Sequence, residues 1–572
     1  MEVNLIIENV NVYNSYFKKF IKSNVAVHED KFIHVGLDFE NRITSNNIVD
    51  GQGKYMIPGL IDIHMHIESS MTIPSEFAKS VIKHGVTTVV ADPHEIANAL
   101  GMDGIKAFLE KEEKVDIFYG IPSSVPSTSR NLETSEGFIS DEEVSELLCY
   151  PKVLCLGEVM NFKDLIEDDN SNINKIIRTV REKDSKYPLE GHCPKIKGVD
   201  LSLYIYRGVD GDHTQQTVES IAEKAAKGMF LEIQRKSMTK ENMDYLMENN
   251  LYEHFSLVTD DVMADKLTEG HLNELLKKAV EMGMSIENAI YVTTYTPARR
   301  MGLIDRGAIA PGKIADFILV DNLDGFNIDS VYKDGDLVYK SNLGIETQYF
   351  NEKNKFPNKF YNTIKLHPLC KEDFVIEVPQ EKVSNFKVKC RTINVQKNSN
   401  FTEQGYVDLE VKDGKLMWEN EECALVAVFE RYGKNKGKAF GIVKGEIIKE
   451  GAVATTWAHD HHNLMVMGTN LEDMIHVANE VITMGGGYAV ANNKEILGAL
   501  PLPIGGIISD EPIESVGSKL SEIRNALKKL GYTHMNEIMS FSTLSLPVSP
   551  ALKISDKGLI DVKKQQILSL FI

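Results

Sequence analysis

Two histidines one residue apart, His64 and His66, sit in the stretch Tyr55-Met-Ile-Pro-Gly-Leu-Ile-Asp-Ile-His-Met-His-Ile-Glu-Ser-Ser70. Alternate side chains of an extended strand share a face, so both imidazoles project the same way and can grip one divalent metal. Further along, Glu158, His192, His213 and Asp260 each stand at the end of an apolar run. Four neutral imidazoles and two carboxylates suit one or two borderline transition metals, Zn, Mn or Fe, whereas Mg or Ca favours oxygen donors throughout. A metal so held acidifies a water and supplies hydroxide near neutral pH. Asp260 beside it is placed to take that proton and deliver it to a leaving group, and Glu158 to reach between two metals.

Each residue also has a purely structural use. Taken singly, His192 and His213 suit hydrogen-bonded core histidines, and Asp260-Asp261 suits a helix N-cap. Glu158 suits a partner for a buried base, and His94-Glu95 a loop held by Pro93. Shared placement favours chemistry over these uses, because the polar residues gather at the carboxyl ends of successive runs. That is where the catalytic groups of a (β/α)₈ barrel stand.

The elements required for such a barrel can be read off the chain. Met56–His64, Val86–Asp92, Asp116–Pro122, Val153–Glu158, Tyr187–His192, Gly208–His213, Gly228–Gln234 and Phe255–Asp261 read as eight strands. Amphipathic stretches at Pro74–His84, Asp141–Cys149, Val218–Lys227 and His271–Gly283 read as helices between them. Before the barrel, Val3–Val12 and Asn24–Val35 alternate like strands. After it, Gly307–Val320 and Val331–Tyr339 do the same, with Asp334-Gly335 as a tight-hairpin signal. The flanking strands are expected to share one sheet. Asn351–Asn358 reads as a linker, followed by a mixed region with strands near Phe374–Val378, Leu425–Val428 and Phe440–Val443 and helices near Leu471–Ile482 and Gly517–Leu530. The expected fold class is therefore α/β. A barrel at 58–306 is inserted in a small β-sandwich domain (1–57 and 307–348), with a C-terminal α/β domain at 355–572.

At 572 residues, 42% hydrophobic and 26% charged, the chain has the composition of a globular protein of about three domains. A net charge of −20 without a long basic cluster argues against a nucleic-acid track. No apolar stretch reaches membrane-spanning length, and the first ten residues alternate like a strand rather than a leader, so the cytoplasm is the expected location. The six cysteines contain no Cys-x-x-Cys pair and read as isolated thiols, with Cys193 notable for following His192. Gly485-Gly486-Gly487 lacks the Gly-Lys-Ser/Thr ending of a phosphate loop and reads as a helix-terminating turn. His459-Asp460-His461-His462-Asn463 is dense in polar groups; a metal or substrate site and a surface turn both fit its spacing.

Assembled, these motifs resemble the bacterial adenine deaminases of the amidohydrolase superfamily. The resemblance rests on Pro58–Ser70, Ala91-Asp-Pro-His-Glu-Ile-Ala-Asn98, Gly157-Glu-Val-Met-Asn161, Gly191-His-Cys-Pro194 and Val258-Thr-Asp-Asp261. Ala458–Asn463 and Leu500-Pro-Leu-Pro-Ile504 extend it to the C-terminal region. It implies a binuclear divalent metal site, Mn or Fe with Zn also suited, that converts adenine to hypoxanthine and ammonia in purine salvage. His64 and His66 would hold one metal and His192 and His213 the other, with Glu158 bridging and Asp260 ligating and shuttling protons. Glu68, Ser69, His94, Glu95 and Asp261 would orient the ligands or touch the substrate. The implied partners are a small purine base and a second copy of the chain in a dimer, with no nucleic acid and no membrane.

The chain departs from the family pattern at Thr214, at Gln234-Arg235-Lys236-Ser237 and at Val262, positions expected to border the pocket. Another aminopurine, a related heterocycle or a cyclic amide is thus an alternative substrate. A non-catalytic binding protein on a hydrolase scaffold is the alternative from another class.

Overall fold

The computed structural model describes residues 1–39, 41–345, 355–419 and 422–572. Its centre is a ring of parallel strands: β1 (Leu60–Met65), β2 (Val86–Ala91), β3 (Asp116–Ile121), β4 (Val153–Val159), β5 (Leu189–Gly191), β6 (Gly211–Asp212), β7 (Phe230–Ile233) and β8 (Phe255–Leu257). Strands β1 to β5 pair in sequence order, as do β6 to β8. Two seams close the ring. Asp210 N–H donates to Leu189 O (3.0 Å) between β5 and β6, and a parallel bridge joins Met65 to Asp260. Every residue of β1 and of β2 is buried, as expected of a parallel sheet covered on both faces. The helices Pro74–Ile82, Asp141–Leu147, Val218–Ala226 and Leu272–Glu281 fall where the apolar periodicity places them.

The first predicted strand is in fact two. Tyr55–Pro58 pairs antiparallel with Phe317–Val320 and parallel with Leu5–Asn14, and only Leu60–Met65 enters the barrel. Gly59 makes the transition, because a Cβ there would lie 2.2 Å from Thr87 Oγ1. Asn24–Val35 is likewise two strands, Lys19–His28 and Lys31–Gly36, turned at Glu29 with φ 54°. The strands flanking the barrel in sequence do form one sheet, and Asp334 (φ 56°) and Gly335 (φ 81°) make the expected hairpin turn. Residues 346–348 of the predicted β domain and 351–354 of the predicted linker lie outside the described residues.

The C-terminal region is built on a second nine-stranded sheet, from Lys415–Met417 at one edge to Glu495–Pro501 at the other. The helices Leu471–Thr483 and Ile513–Lys529 pack against it. The strand expected at Phe374–Val378 shrinks to a single antiparallel bridge, Glu377 to Lys415, with Val378 N–H donating to Gly414 O (2.9 Å) and Leu416 N–H to Ile376 O (3.0 Å). Lys371–Phe374 just before it is a 3₁₀ turn, with the Asp373 carboxylate accepting the Cys370 N–H (2.9 Å). The triple glycine does end a helix: Gly485 and Gly486 N–H groups return to Ile482 O (3.1 Å) and Val481 O (3.0 Å). Among the described residues no helix is long and apolar enough to cross a membrane.

One buried cation of the last sheet makes a pH test. Lys553, in Leu552–Ser555, is fully enclosed, and burial pushes its amine down to about 7; its Nζ donates to Asn400 O (3.0 Å). The unfolded chain, with an ordinary lysine, binds that proton up to a higher pH. Wild-type stability attributable to Lys553 therefore rises from about pH 7 to about 10.5 and is lowest below 7. Lys553→Met is expected to raise the melting temperature by about 2–4 °C at pH 6–7, the gain vanishing towards pH 10.5. Thermal melts at several pH values check this.

Candidate active site

Each predicted ligand stands at or just beyond the carboxyl end of a barrel strand. His64 and Glu158 belong to β1 and β4, while His66, His192, His213 and Asp260 follow β1, β5, β6 and β8. The six converge at the barrel mouth. Glu158 lies at their centre and turns its two oxygens to different neighbours. Oε1 is 3.4 Å from His64 Nε2 and 3.0 Å from His66 Nε2. Oε2 is 2.7 Å from His192 Nδ1 and 3.6 Å from His213 Nε2. Asp260 Oδ1 stands 3.8 and 3.5 Å from the same nitrogens of His64 and His66. The ligand atoms of His64, His66, Glu158 and Asp260 lie within 4.8 Å of one another, as do those of Glu158, His192 and His213.

Burial, and then the neighbouring His64, push His213 down to about 3, so its ring is neutral. Though burial acts against it, the Asp260 and Glu158 carboxylates hold His64 and His66 well above the usual imidazole range, and Glu158 raises His192; a bound cation would displace those protons. Burial would raise Glu158, but the facing imidazoles of His213, His192, His64 and His66 hold it well below the usual carboxylate range. His66 Nδ1 is 3.0 Å from Asp92 O; a hydrogen bond donated there leaves the Nε2 lone pair facing Glu158 and Asp260. His64 Nε2 is buried without a hydrogen-bond partner, which a bound cation would supply.

The surrounding groups fix these ligands. Asp92 Oδ2 accepts the Glu158 N–H (2.7 Å), an approach open only because residue 157 is glycine: a Cβ there would lie 2.3 Å from Asp92 Oδ2. Gly157→Ala is expected to displace Asp92 and Glu158 and to weaken metal affinity about 10- to 100-fold, with the fold retained; metal titration and circular dichroism check it. Asp212 accepts the Cys193 N–H (2.9 Å) and Lys224 Nζ (2.7 Å), tying the segment after β5 to the one after β6. Cys193 is thus a buried thiol within that network. Asp62 accepts the Thr259 hydroxyl (2.6 Å) and links β1 to the segment that carries Asp260.

A cavity of about 600 Å³ opens over the ligands, and of the other predicted residues His94, Glu95 and Asp261 line it. Ser69 and Glu68 do not. Ser69 donates to Asp261 Oδ1 (2.5 Å), and Glu68 accepts the Ile96 N–H (2.9 Å) at the start of helix His94–Leu109. Of the departures from the family pattern, Thr214, Gln234 and Lys236 face the cavity, with Lys236 Nζ 3.8 Å from Asp260 Oδ2, whereas Arg235 and Val262 are not among its lining residues.

The opposite wall comes from the C-terminal region: Asn398 to Phe401, His459, Asp460, and side chains between Met535 and Pro550. The His459–Asn463 segment is buried, not a surface turn. His459 Nδ1 and His462 Nε2 engage opposite oxygens of Glu95. Though burial acts against it, the Glu95 and Asp460 carboxylates hold His459 up at about 10. The density of this motif was legible in the sequence. Nothing in Asn398–Phe401 or Met535–Pro550 signalled a cavity wall, since neither carries a reactive pattern.

A barrel with this histidine and carboxylate set defines a metal-dependent hydrolase class, and the amidohydrolase family model matches residues 55–338. The adenine deaminase C-terminal domain model matches residues 399–566. An adenine deaminase of Clostridium perfringens is 66% identical over 571 residues, covering 100% of this chain and 99% of its own. One of Lactobacillus delbrueckii subsp. bulgaricus is 46% identical with the same coverage. The crystal structure of an adenine deaminase aligns at TM-score 0.44 and 15% identity over 59% of this chain and 100% of its own. The chain belongs to the adenine deaminase family. That membership implies a divalent metal and a small purine substrate.

Proposed function

We propose that this chain hydrolyses adenine to hypoxanthine and ammonia at two divalent metals, Mn or Fe. The observation that carries the binuclear reading is the division of labour at Glu158, one oxygen facing His64 and His66 and the other His192 and His213. The donor set fits such ions, with imidazole nitrogens and carboxylate oxygens meeting around a buried histidine nitrogen that lacks a partner. Metals held there by His64, His66, Glu158, His192, His213 and Asp260 would supply a water acidic enough to attack near neutral pH. Asp260 Oδ1 holds the proton taken from that water and returns it to the exocyclic nitrogen, which leaves as ammonia. Asp261, held by Ser69, and His94 stand on the cavity wall, where they orient the purine. The cavity has ample room for a purine base, and Phe401, Met539 and Leu546 give it an apolar side.

The test is an adenine assay on protein reconstituted with Mn or Fe, read as ammonia and hypoxanthine in equal amounts. Metal-loaded protein that leaves adenine intact but turns over another aminopurine would shift the substrate and spare the chemistry. A dimer completes the proposal. Its support is the exposed apolar stripe of Val199 (72%), Leu203 (38%) and Tyr206 (83%) along helix Gly198–Tyr206, and light scattering reads it.

A further inference from the structure

The geometry points to an additional divalent-cation site, separate from the pair above, where the barrel meets the C-terminal region. Its donors are His94 and Glu95, at the start of the helix that follows β2, and His459, Asp460 and His462, in the turn between Ala452–Thr455 and Leu464–Gly468. All five side chains are enclosed, none more than 5% exposed. One ligand atom each from His94, Glu95 and Asp460 falls within 4.8 Å of the others. Glu95 meets Nδ1 of His459 and Nε2 of His462 through its two oxygens, and His94 Nε2 is 3.5 Å from Glu95 Oε1.

Two features show that histidines alone leave this cluster incomplete. Nδ1 of His94, Nε2 of His459, Oδ2 of Asp460 and Nδ1 of His462 are buried without a hydrogen-bond partner. Buried polar atoms in folded proteins are ordinarily satisfied, so Asp460 Oδ2, next to His94 and Glu95, marks a missing partner. The second feature is charge. Among the described ion pairs, Glu95 and Asp460 meet only histidines. The guanidinium of the nearby Arg431 is spent on the carbonyl oxygens of His462 and Gly505 and on the Thr363 hydroxyl. Positive charge therefore reaches the two carboxylates from histidine rings alone, His459 above all, and a divalent cation would take their place. Three imidazoles with two carboxylates select a borderline transition ion, Zn, Mn or Fe, over Mg or Ca.

The site shares no ligand with the barrel centre, although the His66 and His94 rings are only 4.7 Å apart. Because His94, Glu95, His459 and Asp460 also line the cavity, the ion would clamp its two halves together. Its removal would loosen the wall without emptying the barrel site.

Metal content after reconstitution and gel filtration decides the matter, measured by mass spectrometry on the full-length protein. The double variant His459→Ala, His462→Ala is expected to hold about one equivalent less than the parent. His462→Gln, which keeps similar bulk and a hydrogen bond to Glu95, guards against failure to fold and is expected to lose the same equivalent. Replacement of His192 by Asn, in the barrel set, is expected to leave that equivalent in place. A folded His462→Gln protein with the metal content of the parent overturns the proposal, and the cluster is then a network of charge-assisted hydrogen bonds alone.

Discussion

Asp260→Asn protein is expected to deaminate adenine about 10³-fold more slowly than the parent while melting within about 2 °C of it. The backbone permits the exchange: residue 260 has φ 59°, a conformation that Asn adopts as readily as Asp. The Thr259 contact to Asp62 that supports this segment does not involve the exchanged group. What is lost is the carboxylate at 3.8 and 3.5 Å from His64 and His66. An amide in its place still reaches these neighbours but cannot accept and release a proton near neutral pH. Steady-state ammonia release and a thermal melt measure the two halves of the prediction. A variant within about tenfold of the parent would remove Asp260 from the proton path.

Glu158→Gln is expected to strike the metal site more broadly. The side chain keeps its size, yet one of its two faces becomes an NH₂ group turned toward a histidine nitrogen. Since Oε1 and Oε2 face different histidine pairs, no orientation of the amide serves both. We expect retention of at most about one of the two barrel equivalents and a fall in turnover of about 10³-fold or more. Excess Mn should restore little of it. Metal analysis beside the same kinetic assay separates this outcome from that of Asp260→Asn, which should lose less metal than rate. Full metal content in Glu158→Gln would argue against a shared carboxylate.

The barrel and the cluster of histidines and carboxylates at its mouth were legible because both leave short-range signatures. A buried parallel strand must be apolar along its length, so a polar residue at its end stands out, as at Glu158, His213 and Asp260. Strand limits were less legible. Met56–His64 reads as one apolar run, and only the close approach of Thr87 to Gly59 explains why the chain changes sheets there. Phe374–Val378 does pair, but only through the bridge of Glu377 to Lys415, because its first residue still belongs to the 3₁₀ turn Lys371–Phe374. The cavity wall at Asn398–Phe401 was illegible because it depends on contacts between segments far apart in the chain, formed by ordinary residues. The His459–Asn463 motif falls between these cases, visible as chemistry but with no sequence signal for its encounter with Glu95.

The two-sided cavity has a consequence for how selectivity could change over time. The groups proposed to break the bond lie before residue 262, whereas Phe401, Met539 and Leu546 lie well after it. The apolar side of the base pocket is therefore encoded in a stretch of the chain apart from the reacting groups. Substitutions in the later stretch can retune which heterocycle is accepted while the earlier one stays untouched. A search for new substrates, natural or in the laboratory, has most freedom at Asn398–Phe401 and Met535–Pro550.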